Sequence, residues 1–530
     1  MRSTASSPAS LMPDGVVLVG MPTSGKSTVG RLVAERLGRP FVDTDEIMAR
    51  RIGMPVADYI RRHGEPAARA EESKAVREAC AAPGAVISTG GGAPLDPLNR
   101  WALWHHGTVA CLDVAADELL RRLRADGVAR PTLEPYGEER LASVMADRAP
   151  VYRAADVSLD ASASPGAIAQ ELTVRLGLVG GRRLLDAEVA RHHPIGPAAA
   201  RIVMGVDLAG VIPAGAAVVD RRLLTAGPDL VRGVRATACL LIAAGERSKR
   251  VRPLERILEW LAEQRVERDT PLIAVGGGTI GDLAGTAAAM YARGLPLVQV
   301  PTTWLAQADS SIGGKVAVDL RSAKNAVGAF WPPIAVVTDV AALRSLPIRL
   351  RRDGMAESIK VAMIGDPALW QLLEERGQAA LRTDEAARYA ILERSARLKI
   401  GICDRDPFES GERRALNLGH TIGHALELES RYRLPHGAAV VLGMRAVAAI
   451  AFGRGGDPDL SPRLDSMLDR TGFTLRRSFD GAAVRDAMLG DKKRRAGRQR
   501  WILPMEIGRV IEVDDVTEAE LELGLRTISA

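Results

Sequence analysis

Gly20-Met21-Pro22-Thr23-Ser24-Gly25-Lys26-Ser27 follows directly on the apolar run Val16-Val17-Leu18-Val19. A buried strand, then a glycine loop, then a helix is the order that a phosphate-gripping loop requires, and the spacing G-x-x-x-x-G-K-[ST] is complete. Gly20 and Gly25 let backbone N–H groups wrap nucleotide phosphates. Lys26 reaches the outer phosphates, the Ser27 hydroxyl is placed to ligate Mg²⁺, and Thr28 continues the helix beneath the nucleotide. Pro22-Thr23 stand where small residues are more usual, but they leave the fixed positions intact. The chain therefore starts with a nucleotide-binding domain.

Working outward, Phe41-Val42 lead into Asp43-Thr44-Asp45, and Val86-Ile87-Ser88 and Val109-Ala110-Cys111-Leu112 read as further strands, with helices expected from Lys26 and near Glu71, an α/β alternation that implies a parallel sheet. Carboxylates at i and i+2 off a strand end point the same way. One can serve Mg²⁺ and the other substrate hydroxyls; the alternative for Asp45 is a helix cap. Arg69, the run Gly90-Gly91-Gly92, Arg130-Pro131 and Arg148 ahead of Tyr152 follow. Separated arginines suit an anionic substrate, because guanidinium forks grip carboxylate and phosphate.

Together these segments, over about residues 13–176, resemble shikimate kinase. The resemblance implies phosphorylation of a shikimate hydroxyl by ATP. Lys26 and Ser27 would serve phosphate and metal, with Asp43 beside the Mg²⁺. Asp45, Arg69, Gly91 and Arg148 would hold shikimate. Arg130 would descend on ATP from a lid at 126–138. Phosphoryl transfer asks for this combination of positioning and charge neutralisation.

The chain has 530 residues, 47% hydrophobic and 26% charged, with a net charge of +6. That is too long for one core at roughly 150 residues per domain, and too weakly basic to argue for nucleic acid. Cys80, Cys111, Cys239 and Cys403 form no C-x-x-C pair, so free thiols are expected. The Ser/Ala/Pro-rich stretch 1–13 reads as a disordered tail without a signal segment. No stretch reads as a membrane span. The expectation is a cytoplasmic protein with small-molecule substrates and neither nucleic-acid nor membrane partners.

A linker is expected at 177–183, then a second α/β region over 184–342, with strands near 217–219, 239–242, 272–275, 297–300 and 335–337. An all-helical region should fill 343–530. Val275-Gly276-Gly277-Gly278-Thr279-Ile280-Gly281-Asp282 follows a strand and admits a pyrophosphate. It lacks the acidic residue expected about 20 positions later in a dinucleotide fingerprint. His420 and His424 are four apart on an expected helix, His436 follows a Leu434-Pro435 break, and Glu357 lies earlier. Any two of these histidines with Glu357 would leave zinc open positions for substrate oxygens.

With Gly245-Glu246-Arg247-Ser248-Lys249, Tyr291-Ala292-Arg293-Gly294, Pro301 to Ser311, Gly313-Gly314-Lys315, Lys324-Asn325, Gly354 to Lys360, Leu416 to His424 and His436-Gly437, the region 184–526 resembles 3-dehydroquinate synthase. The resemblance implies NAD⁺ and Zn²⁺ (or Co²⁺) as cofactors. The substrate would be 3-deoxy-arabino-heptulosonate 7-phosphate and the products 3-dehydroquinate and phosphate. Net redox would be zero: transient oxidation of one ring hydroxyl acidifies the neighbouring C–H, phosphate leaves, the hydride returns, and an aldol step closes the ring.

The resemblance puts Glu357, His420 and His436 on the metal, with His424 at the substrate. Asp220, Glu246, Lys249, Gly278, Gly281, Asp282, Thr302, Thr303, Asp309, Lys315 and Lys324 would surround NAD. Arg293, Lys315, Asn325, Lys360, Lys399, Arg413, Asn417, His424 and one of Lys492 or Lys493 would line the substrate. Ala438 and Thr286 depart from the family pattern, which has Glu and an aromatic there. A homodimer through this region is implied. Alternatives are a cyclase for sedoheptulose 7-phosphate, or a non-catalytic nucleotide-binding half.

Overall fold

The computed structural model describes residues 15–126, 130–134, 137–176, 182–193, 196–321, 323–489 and 499–530. The expected tail, positions 177–181 of the expected linker, and Lys492 and Lys493 lie outside them. The chain splits into two compact units: residues 1–187 with 203–206, and residues 188–202 with 207–530.

In the first unit, β1 (Gly15–Gly20), β2 (Phe41–Asp43), β3 (Val86–Ser88), β4 (Gly107–Asp113) and β5 (Val157–Asp160) form one sheet in the order β2-β3-β1-β4-β5. Every pairing is parallel; Val17 is flanked by Ile87 on one side and Val109 on the other. β1 is buried along its whole length, which is why it reads as a continuous apolar run and not an alternating one. The covering helices are α1 (Lys26–Leu37), α2 (Thr44–Ile52), α3 (Val56–Cys80), α4 (Pro97–His106), α5 (Ala116–Asp126), α6 (Glu138–Tyr152) and α7 (Pro165–Arg175). The span α3 holds two helices divided at Gly64 (φ 80, ψ 166); the second, which contains Glu71, starts at about Glu65-Pro66, a few residues ahead of the expected position. β5 was not anticipated: Val157-Ser158-Leu159-Asp160 is too short to carry a clear alternation.

In the second unit, β8 (Gly215–Asp220), β9 (Ala236–Ile242), β10 (Leu272–Gly276), β11 (Leu297–Pro301) and β14 (Ala335–Asp339) lie parallel within the order β6-β7-β14-β11-β10-β8-β9. β6 (Arg182–His193) and β7 (Gly196–Val206) extend the sheet beyond β14; the charged residues in β6 hide its strand character. β12 (Lys315–Val318) and β13 (Val327–Phe330) form a separate ribbon. Helices α8 (Leu223–Ala226), α9 (Pro228–Gly233), α10 (Val251–Glu263) and α11 (Gly278–Met290) accompany the sheet.

The region after Val340 is helical: α12 (Ile348–Gly365), α13 (Pro367–Arg382), α14 (Glu385–Arg405), α15 (His420–Glu429), α16 (His436–Gly453), α17 (Leu460–Thr471), α18 (Gly481–Leu489) and α19 (Glu518–Ile528). It is not helical throughout. β15 (Trp501–Glu506) and β16 (Arg509–Val513) pair about the Gly508 turn, whose φ of 90° favours glycine. Among the described residues α16 alone is long and apolar enough to cross a membrane, with mean hydropathy 1.5, but 72% of it is buried inside the fold as a core helix. The four cysteines are free.

Candidate active sites

At the end of β1 the loop turns through Thr23 (φ 64) and Gly25 (φ 94) into α1. Lys26 curls over this loop, its Nζ donating to Gly20 O at 3.0 Å and Met21 O at 2.8 Å. Burial lowers its pKa to about 8 against the opposing pull of Asp45. Ser27 Oγ donates to Asp43 Oδ2 at 2.7 Å, while Asp43 Oδ1 accepts Asp45 N–H and caps α2. The cap is thus Asp43 and not Asp45, for which the sequence offered that alternative: Asp45 lies in the first turn of α2, while Asp43 both starts the helix and stands beside the hydroxyl. A hydroxyl and a carboxylate so close offer the hard oxygen donors that Mg²⁺ takes.

Gly90, Gly91 and Gly92 are hemmed in by the expected substrate residues. A Cβ at these positions would lie 2.6 Å from Asp45 Oδ1, 2.8 Å from Arg148 Nη1 and 2.0 Å from Arg69 Nη1. Asp45, Arg69 and Arg148 therefore converge on one glycine run, and only glycine leaves them room. Arg148 is buried, and Asp45, though it keeps solvent access, is pushed up to about 6 by packing and by the charges of Asp43 and Glu72. Glu72 was not singled out from sequence; it is buried and binds Arg69 Nη1 at 2.8 Å, with Glu65 on the same guanidinium at 2.7 Å. Tyr152 OH lies 2.7 Å from Gly91 O and 3.0 Å from Gly20 O, linking the phosphate loop to the glycine run. Arg130 pairs with Asp126 at 2.5 Å.

In the second unit, three helices meet at one point. α12 brings Glu357, α15 begins at His420 after Gly419 (φ 74), and α16 begins at His436 after Pro435. Glu357 Oε1 is 3.2 Å from His436 Nε2 and 3.5 Å from His420 Nε2. Ligand atoms of all three lie within 4.8 Å of one another. His424 shares the face of His420, with ring centroids 5.2 Å apart, but is exposed and groups with Glu427 and His436 instead. Two imidazoles and a buried carboxylate suit Zn²⁺ or Co²⁺ and leave coordination positions open. Burial disfavours a charged His436, but Glu357 and Glu427 outweigh it and raise its pKa to about 10. His420 Nδ1 lies 3.1 Å from Leu418 O, which leaves Nε2 facing the cluster.

Beside the triad lie the lysines. Lys360 ion-pairs with Glu357, both at most 2% exposed, and Lys399 Nζ contacts Asp309 Oδ1 at 2.7 Å. Lys315 pairs with Glu409, whose other oxygen accepts from Asn417 Nδ2 at 2.9 Å. Arg413 is buried and donates to Gly313 O at 2.9 Å. Glu409 and Glu427 were missed from sequence. Glu409 sits in a loop at φ 59, which spacing cannot reveal; Glu427, three after His424 on one helix face, was within reach of it.

The glycine segment starts α11: Gly277 precedes it and packs against Thr303, and a Cβ on Gly278 would lie 2.9 Å from Ser310 Oγ. Gly281 abuts Gln299, whose Nε2 donates to Gly281 O at 3.2 Å. Thr302 is buried, its N–H on Gly276 O. Lys249 pairs with Asp282 and donates to Asn325 Oδ1 at 2.6 Å; Lys324 meets Glu246 at 2.7 Å and Glu427 at 3.8 Å. This groups Glu246, Lys249, Asp282, Lys324 and Asn325, and Glu427 joins them to the metal ligands. A helix start with free N–H groups, no bulky side chain and flanking ammonium groups fits a dinucleotide pyrophosphate. Two expected residues stand apart. Asp220 is engaged by Arg222 (2.8 Å), and Arg293 is exposed at φ 62 with no described contact to the lysine cluster. Thr286 is buried and donates to Asp282 O at 2.7 Å.

Residues 22–176 match the family model for shikimate kinase, 239–353 that for the 3-dehydroquinate synthase N-terminal part, and 354–494 that for its C-terminal part. A 3-dehydroquinate synthase of Xanthomonas campestris pv. campestris is 43% identical over 344 residues, covering 63% of this chain and 90% of the relative. One from Symbiobacterium thermophilum is 40% identical over 296 residues, covering 55% and 83%. Among solved structures, the 2-epi-5-epi-valiolone synthase ValA of Streptomyces hygroscopicus subsp. jinggangensis, with NAD⁺ and Zn²⁺ bound, aligns at 27% identity and TM-score 0.59, over 64% of this chain and 98% of its own.

Proposed function

Because the chain belongs to the 3-dehydroquinate synthase family and carries a shikimate kinase domain ahead of that part, we propose that it is a bifunctional enzyme of aromatic biosynthesis. The kinase portion, 14–176, phosphorylates shikimate with MgATP. The synthase portion, divided at about 342 into an NAD part and a metal and substrate part, converts 3-deoxy-arabino-heptulosonate 7-phosphate to 3-dehydroquinate and phosphate. The observation that carries the synthase half is the closure of Glu357, His420 and His436 within 4.8 Å beside two buried lysines.

In the kinase half, Lys26 and Ser27 with Asp43 neutralise phosphate and metal charge. Asp45 accepts from substrate hydroxyls, and Arg69 and Arg148 fork the carboxylate. In the synthase half, Glu357, His420 and His436 would hold Zn²⁺ or Co²⁺, and the start of α11 with Lys249, Asp282 and Lys324 would hold NAD⁺. When bound, these groups supply a transient hydride acceptor and a Lewis acid for substrate oxygens. Lys360 fixes one Glu357 oxygen so that the other faces the histidines. Lys399 orients Asp309, and Lys315, Arg413 and Asn417 receive the substrate's anionic ends. His424, exposed at the rim, is placed to exchange a proton with substrate. A homodimer is part of this reading.

A second reading is cyclisation of sedoheptulose 7-phosphate, favoured by the likeness to the valiolone synthase. The decisive experiment assays the purified chain in parallel. ADP formation is followed with shikimate, and phosphate release with each heptulose phosphate plus NAD⁺ and zinc. Phosphate release from the sedoheptulose ester alone would replace the synthase assignment.

A further inference from the structure

The first turns of α12, the Leu434–Ala438 segment and the stretch Gly472–Arg477 enclose a cavity of about 350 Å³ at the α16 start. Arg349, Arg352, Arg476 and Arg477 line it with one carboxylate, Asp353, a formal balance of +3 (four cations less one anion). Asp353 is already committed, its Oδ1 accepting Gly437 N–H at 2.7 Å. Arg352 donates to Gly472 O at 2.5 Å. Arg477 is 3.8 Å from Glu429, beyond hydrogen-bond reach, and its buried Nη1 has no hydrogen-bond partner. Among the described residues no carboxylate pairs with Arg349 or Arg476.

This departs from the habit of the same unit, where arginines find acids: Arg344 with Glu385, Arg394 with Asp366, Arg454 with Glu520, Arg463 with Glu374. Arg349 and Arg476, exposed and without a carboxylate partner among the described residues, leave two guanidinium forks open to an incoming anion. Beneath the arginines the lining is apolar, with Leu434, Leu442 and Phe473. A bare inorganic anion would satisfy the guanidinium forks but leave that floor unused.

We infer that this cavity is a second anion site, separate from both active sites, for a small ring-bearing organic acid. Its carboxylates would sit on the guanidinium forks and its ring on Phe473 and the leucines. The volume lies at the small end of ligand pockets, which suits a single ring.

The test uses the full chain loaded with zinc and NAD⁺, with benzene-1,3-dicarboxylate as probe and inorganic phosphate as the ring-free comparison. Affinities are read by calorimetry, and contact by saturation-transfer NMR. The aryl dicarboxylate should bind wild type more tightly than phosphate does. The double variant Arg349→Ala/Arg476→Ala should weaken it about tenfold or more, the scale of a lost charge-assisted pair. That variant should release phosphate from its substrate at the wild-type rate, which also reports its folding. Ala438→Glu, placing a carboxylate among the same guanidinium groups, should weaken the probe independently. Equal affinity in wild type and both variants, or binding no tighter than phosphate, would overturn the assignment.

Discussion

Lys360→Met removes an ammonium group while nearly conserving side-chain volume. Lys360 and Glu357 are 2% and 1% exposed; Asp309 with Lys399 stands next to them and Glu427 with the protonated His436 of the metal-free site on the other side, so three carboxylates face three cations at zero net charge. The variant leaves one negative charge uncompensated in the interior. Breaking a buried pair from one side costs about 3–5 kcal/mol. At about 2 °C per kcal/mol for a unit this large, the synthase portion should melt about 6–10 °C lower in chelator. Zinc should recover more of that loss in the variant than it adds to wild type, because a divalent cation on Glu357 replaces the missing charge. Phosphate release should fall by about 100-fold or more even with zinc, since Glu357 and Asp309 lose their fixed orientation. ADP formation with shikimate should not change, and so serves as the folding control. The assays are thermal melts with chelator and with zinc, plus both activities on one preparation. A variant melting within about 1 °C of wild type in chelator would refute the reasoning, because the buried charge would then be neutralised by some other means.

Lys26→Ala should abolish ADP formation and leave phosphate release whole, while His420→Ala should do the reverse; either variant losing both activities would argue against two independent sites. The raised carboxyl of Asp45, at about 6, is ionised only above that pH. The KM for shikimate should therefore climb about tenfold per pH unit below 6, and Glu72→Gln should move the inflection to lower pH. A KM flat with pH through that range would remove Asp45 from substrate binding. With the metal stripped, His436 is protonated up to about 10, so zinc must displace a proton. Zinc affinity measured against a competing chelator should rise with pH and release of about one proton should accompany binding; a pH-independent affinity would place the metal elsewhere.

The sequence made the strands of both parallel sheets legible wherever they are buried on both faces. Val16 to Val19 and Leu272 to Val275 are apolar without interruption, which only a covered parallel strand sustains. It missed β6, where charged residues break the apolar run, and the β15–β16 ribbon, which lies between α18 and α19 in a region that reads as helical throughout. At the sites, glycine runs and histidine spacing located the machinery, because those residues are dictated by close approach and ligand chemistry. Spacing alone left open which two of His420, His424 and His436 join Glu357. Pro435 starts α16 at His436, a break legible in the sequence, but that this helix start faces Glu357 is a tertiary fact with no local signature. Glu72 and Glu409 escaped notice for a related reason: an acid whose role is to hold a cation looks, in sequence, like any solvated carboxylate.

Those acids also explain why a net charge of +6 says so little about binding. Among the described residues, more than half of the cations expected to meet an anionic substrate or cofactor already hold a carboxylate of this chain, while Lys26 and Arg413 are held by backbone carbonyls. Lys249 has Asp282, Lys324 has Glu246, Lys315 has Glu409, Lys360 has Glu357, and Arg69 has Glu65 and Glu72. Such pairing keeps buried charge tolerable before any ligand arrives. It also turns binding into an exchange of partners, so that affinity is the difference between two ion pairs and not the full strength of one. An anion with the right geometry at several cations displaces several carboxylates together. One that reaches a single lysine gains almost nothing over the acid already there. Specificity for a substrate bearing both phosphate and carboxylate then follows from the internal acids as much as from the lysines.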